Sequence, residues 1–120
     1  GRIHLPIGRV AEGVDRWMVR EDGRPAVTDY EILAGGGDHT VLKIHLLTGR
    51  THQIRVHFAH KGHPLVGDPV YGTRDPRIAR QALHAWTVRF RHPRTGEEVF
   101  LTAPVPEDMK GLLGEKSSAE

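Results

Sequence analysis

At 120 residues without a cysteine, the chain has the size of one small domain and can carry neither a disulfide frame nor a thiolate metal site. Hydrophobic residues make up 38% of it and charged residues 27%, a globular but lean composition in which a missing piece of sheet would be felt. The formal net charge is only +2, yet ten of the 17 Lys and Arg residues, against two of the 15 acids, lie between Lys43 and Arg94.

In chain order, residues 1–9 show no helical period and begin as though continuing from an upstream segment. Trp17, Met18 and Val19 run into Asp22-Gly23, the signature of a tight hairpin turn, and a strand is predicted over 26–33 with Thr28, Tyr30 and Ile32 on one face. Gly35-Gly36-Gly37 leads to the next strand, over 40–47, giving an antiparallel meander. No Gly-Lys-Ser/Thr follows these glycines at phosphate-loop spacing, so they read as a hairpin loop. Thr51 is expected to cap a helix over 52–61, ended by Gly62 and Pro64. Ile54 and Phe58, four apart, are expected to form its buried stripe with Val56 and Ala59 at the edges, leaving Gln53, Arg55, His57 and His60 to point elsewhere.

Residues 63–72, rich in Gly and Pro, read as an ordered loop or short strand rather than another helix, and 74–80 as a charged connection. A second hairpin is predicted from strands over 82–90 and 99–102 around a turn at His92-Pro93-Arg94-Thr95-Gly96. Residues 103–106 are extended, 107–113 form a short helix, and the Ser-rich end frays. The fold class is α+β, mainly antiparallel sheet with one central helix. Residues 1–109 are expected to form the folded portion and 110–120 a terminal tail. With no apolar run of membrane-crossing length and no signal-peptide pattern, the chain is expected to be cytoplasmic and without membrane contact.

The basic middle suits a polyanion-facing surface, and equally an ordinary solvated face. Its centre is the tight turn at Thr48-Gly49-Arg50-Thr51. It leads into a helix whose first turn holds His52, Gln53 and Arg55, and a helix N-terminus with its unpaired N–H groups attracts anions. Nine histidines raise the question of a metal. His57, His60 and His63 are three apart, but His63 lies beyond Gly62 and no His-Glu-x-x-His or Cys completes a set, so no metal site is expected. His45 and His84 read as satisfied core or sheet-face histidines.

The stretch Thr48-Gly49-Arg50-Thr51-His52-Gln53-Ile54-Arg55-Val56-His57 closely resembles the third motif of the RluA-type, large-subunit rRNA pseudouridine synthases. The resemblance continues through Gly62-His63-Pro64-Leu65-Val66-Gly67-Asp68 and Tyr71-Gly72. It then takes in Arg80-Gln81-Ala82-Leu83-His84-Ala85, His92-Pro93 and Ala103-Pro104-Val105-Pro106, and spans about residues 6–109. It implies the C-terminal part of a pseudouridine synthase catalytic domain. The activity it implies is conversion of uridine to pseudouridine in structured RNA, rRNA or tRNA with the wording closer to members acting on large-subunit rRNA, without a cofactor. In that family an aspartate in a Gly-Arg-Leu-Asp motif acts on the ribose of a flipped-out uridine. The family's arginine that pairs with this aspartate falls on Arg55, and its apolar contact beside the uracil falls on Ile54. Arg50, His52, Gln53 and Lys61 are expected to contact RNA.

This sequence contains no Gly-Arg-Leu-Asp motif; the family places it, with the active-site tyrosine motif, upstream. Tyr30 and Tyr71 stand in other contexts, and Asp68, in a Gly-Asp-Pro loop, is assigned to turn formation. The upstream half of the same catalytic domain is therefore an expected partner, and the chain by itself is expected to be inactive. A non-catalytic RNA-binding module and a structural fragment with exposed sheet edges remain as alternatives.

Overall fold

The computed structural model describes residues 1–35, 38–85, 87–91, 94–95, 98–102 and 104–114. Among these residues nine elements follow in order: β1 (Arg2–His4), β2 (Ile7–Arg9), β3 (Trp17–Val19), β4 (Val27–Ala34), β5 (Val41–Leu46), α1 (Gln53–His60), β6 (Thr87–Arg91), β7 (Glu98–Thr102) and α2 (Glu107–Gly114). All described strand pairs are antiparallel. They form a three-stranded sheet ordered β1-β4-β5 and two ribbons, β2-β3 and β6-β7.

The β4–β5 hairpin and the β6–β7 hairpin form as the alternation predicts. The turn at Asp22-Gly23 does not join β3 to β4. β3 pairs instead with β2, matching Ile7 to Val19 and Arg9 to Trp17, and Arg24 exchanges both backbone hydrogen bonds with Ile7 at 2.9 Å. Gly23 permits this crossing: a Cβ there would lie 2.5 Å from the Ile7 carbonyl carbon. The strand expected from 82 begins only at Thr87. Before it, the Ala82 N–H bonds to Val66 O at 2.8 Å, and Arg80 Nη1 donates to Gln81 O and Leu83 O, so a loop and a side chain take these backbone groups, and no strand among the described residues is paired with them. Trp86, His92, Pro93, Gly96 and Ala103, part of the second hairpin's predicted strand and turn and of the extended tail, lie outside the described residues.

α1 packs across β3 and β4. Its Val56 joins Ile7 and Ala26 in the core, with Trp17, Val19 and Tyr71 packed around them, and Phe58 meets Tyr30 edge-on with ring centroids 5.4 Å apart. Near the other end, His39 Nδ1 bonds Asp38 and its Nε2 bonds the Leu112 carbonyl. Arg77 bridges Asp38 and Asp75, and Arg80 holds Asp108 bidentately. These contacts fasten α2 and the 74–80 connection to the β4–β5 hairpin. No helix among the described residues is long and apolar enough to cross a membrane.

Candidate active site around Arg55

The buried face of α1 is mixed. Phe58 is buried as expected and Val56 joins it in the core, but Ile54 is only half-buried, and a polar pair, Gln53 and His57 at i, i+4, is buried beside them. These two side chains can be buried because every polar atom they carry finds a partner. His57 Nε2 reaches the Leu5 carbonyl at 2.9 Å, which requires a proton on that nitrogen, so Nδ1 accepts the Thr28 hydroxyl at 2.9 Å. The Gln53 amide nitrogen donates to Thr28 Oγ1 and Val27 O, and its oxygen accepts the Thr48 hydroxyl and the Arg50 N–H. Thr48 Oγ1 closes the loop by accepting the Val27 N–H at 2.9 Å. Burial holds the His57 imidazole below its usual value, keeping it neutral.

This network also begins the helix. Thr51 is not the cap. The N-cap is His52, the one non-glycine residue with positive φ among those described (φ 56°, ψ 23°), and its side chain caps nothing. Gln53 instead ties the preceding turn to the helix by taking the Arg50 N–H, which lies before the first helical turn. At the far end, His63 N–H bonds Phe58 O and Gly62 N–H bonds Ala59 O, a Schellman termination at the glycine the sequence marks.

The left-handed turn directs His52 outward to Tyr71. Its Nδ1 lies 2.8 Å from the phenolic oxygen, which also accepts the Trp17 N–H at 3.0 Å, and the rings meet edge-on with centroids 5.6 Å apart. The Arg55 guanidinium lies 5.1 Å from the Tyr71 ring centre and that of Arg16 5.5 Å from it. Arg55 Nε and Nη2 make a fork on the two oxygens of Asp68, each bond 2.9 Å long. The Asp68 side chain is 0% exposed and that of Arg55 11%. Asp68 Oδ1 also accepts the Val70 and Tyr71 N–H groups at 3.0 and 3.1 Å.

Burial pushes the Asp68 carboxyl up, but the Arg55 guanidinium and those two N–H groups outweigh it and hold the group below its usual value. The same hydrogen bonds raise Arg55. Among the described residues no hydrogen bond engages Arg55 Nη1, so one corner of a half-buried, oriented guanidinium stays open. Gly67 makes the Asp68 position reachable. It has φ +79°, and a Cβ there would meet the Arg80 carbonyl oxygen at 2.4 Å.

The sequence-predicted site residues separate. Arg55, His52 and, through its backbone, Arg50 gather at the start of α1, where Arg50 Nε is held by Pro25 O at 2.8 Å. Lys61 is exposed past the helix C-terminus, about 9 Å along the axis from Arg55. Gln53, expected to contact RNA, is 3% exposed, and its amide is taken up by Val27, Thr28, Thr48 and Arg50. His57 is buried against Thr28 and Leu5, away from any shared site with His60 or His63. The turn assigned to Asp68 is present, but nothing in the sequence shows that the same carboxylate holds Arg55, or that the Tyr71 ring lies against both Arg55 and Arg16.

The fold has counterparts among known proteins. The structure of human RNA Pseudouridylate Synthase Domain Containing 1 superposes with a TM-score of 0.72 and 37% identity, covering 98% of this chain and 52% of that one. The profile of the RNA pseudouridylate synthase family matches residues 1–60, and the chain belongs to that family, on its RluA-type branch. A protein of Chloroflexus aurantiacus, named an uncharacterized RNA pseudouridine synthase, is 49% identical over 115 residues. The ribosomal large subunit pseudouridine synthase D of Nitrosomonas europaea is 44% identical over 122. Each match takes in 94% of this chain and 36% of the relative. The chain thus spans just over a third of the length of these relatives.

Proposed function

We propose that this chain supplies the arginine side of the active site of a cytoplasmic RNA pseudouridine synthase acting on rRNA rather than tRNA. The observation that carries the proposal is the Arg55 guanidinium, fixed by Asp68 through Nε and Nη2 with Nη1 left unengaged. An aspartate from the upstream half of the catalytic domain meets that corner. There the guanidinium keeps the carboxylate ionised and oriented, while its own proton is too tightly held to be transferred. The aspartate acts on the ribose of a flipped-out uridine, the glycosidic bond breaks, and the uracil rejoins through carbon; no cofactor takes part. Ile54, half-buried next to Arg55 in sequence, lies against the uracil. The backbone of the RNA is met by Arg50, His52 and Lys61. The names of the relatives, the family membership and the basic middle of the chain support this reading.

The test is tritium release from uridine-labelled rRNA transcripts by the chain alone and by the chain joined to the upstream part of the Chloroflexus aurantiacus relative. Activity in the joined protein only is expected. Activity in the chain alone would overturn the requirement for an upstream aspartate. Activity in neither, with salt-dependent RNA binding retained, would leave a non-catalytic RNA-binding module.

A further inference from the structure

Resting on that reading, we infer that Asp68 is a positioning residue for the reaction, grasping the Nε–Nη2 edge of Arg55 so that the Nη1 corner faces the incoming aspartate. A guanidinium on a flexible stem has no preferred edge of its own; here three contacts choose one. The fork to Asp68 fixes the plane, since two parallel bonds of 2.9 Å allow little rotation. The Tyr71 ring, 5.1 Å from the guanidinium carbon, supports one face. The Asp68 carboxylate is itself immobile, because Oδ1 is tied to two backbone N–H groups and Gly67 lets its backbone pack against Arg80.

A pair used only for stability gives no reason for its arrangement. An apolar pair would fill such a site as well or better, since desolvating two charges offsets their attraction. The backbone turn would also be served by a neutral Asn. What the charge on Asp68 adds is the two-point grip on Arg55.

Asp68→Asn separates the two roles at the level of single atoms. Its amide oxygen can still accept from Val70, Tyr71 and Arg55 Nη2, while its NH2 faces Arg55 Nε and repels it. In the joined, active protein the expected result is a fall in kcat of about 100-fold, the scale of a 1 Å misplacement, with KM for the RNA changed by less than about twofold. Arg55→Lys keeps the charge and loses the fork, so its kcat should fall to a similar degree. Adding Asp68→Asn to it should cost little more, because Asp68 acts through the fork.

An Asp68→Asn protein with unchanged kcat, or with KM alone raised, overturns the inference, as does an equal further loss in the Arg55→Lys background. Should Asp68→Asn not fold, Arg55→Lys alone decides: full kcat there shows that no aimed fork is needed. A parent without activity removes the functional reading along with the inference, whereas an active parent with an indifferent Asp68 removes the inference alone.

Discussion

The two faces of α1 carry side chains of similar polarity to opposite ends. On the inner face, Gln53 and His57 are closed: each donor is matched to an acceptor, from Leu5 O through His57 and Thr28 to Gln53, Thr48 and Arg50. On the outer face, Arg55 is as firmly held but incompletely matched, with a corner left over. A polar residue whose bonds are all made inside the fold contributes to stability and uniqueness; one held rigid with capacity to spare is equipped to act on something else.

Substitutions on the two faces should therefore fail in different ways. The largest effect is expected from Arg55→Ala, which should lower kcat of the folded, joined protein by at least about 100-fold. A variant with near-parental kcat would erase the distinction between the faces. Gln53→Ala should instead cost about 2–3 kcal/mol in urea unfolding by orphaning several buried groups, with kcat per folded molecule preserved. A rate loss without a stability loss would move Gln53 to the functional side.

The smallest effect sharpens the inner face through pH. Burial lowers the folded His57 pKa below its usual 6.5. The unfolded chain therefore takes up a proton near 6.5 that the folded chain refuses. This contribution is complete above that pH and is lost as pH falls toward the folded value. His57→Gln keeps a donor and an acceptor without titrating. Between about pH 7 and about pH 5 its urea midpoint should decline less than that of the parent. Equal slopes would show that His57 is protonated as easily folded as unfolded.

Much of the layout was legible locally. Period-two alternation located β4 and β5, and Gly62 ended α1 where expected, because these depend on neighbours in sequence. The partner of β3 was not legible: Asp22-Gly23 looks like a hairpin turn, and only the close approach of Ile7 to Gly23 reveals a crossing. Hydrophobicity puts Phe58 on the inner face of α1 but assigns Gln53 and His57 outward, while their burial depends on Leu5 and Thr28, distant in sequence, as well as on nearby Thr48. Arg55 was found through motif resemblance. Its grip by Asp68, 13 residues on, depends on a loop folded by Gly67 and could be seen only in three dimensions.

The left-handed His52 has a further consequence for how the chain tolerates change. Successive residues of an α-helix advance by about 100° around the axis, so the angular phase of α1 is fixed by how the backbone enters it. With Gln53 clamped to the preceding turn and His52 in its reversed conformation, that phase is locked before the first helical turn is complete. A one-residue insertion or deletion between Thr48 and Gln53 would act as a rotary error, turning the charged side toward the interior and the amide toward solvent. The four residues between Thr48 and Gln53 should tolerate exchange of side chains far better than any change in length.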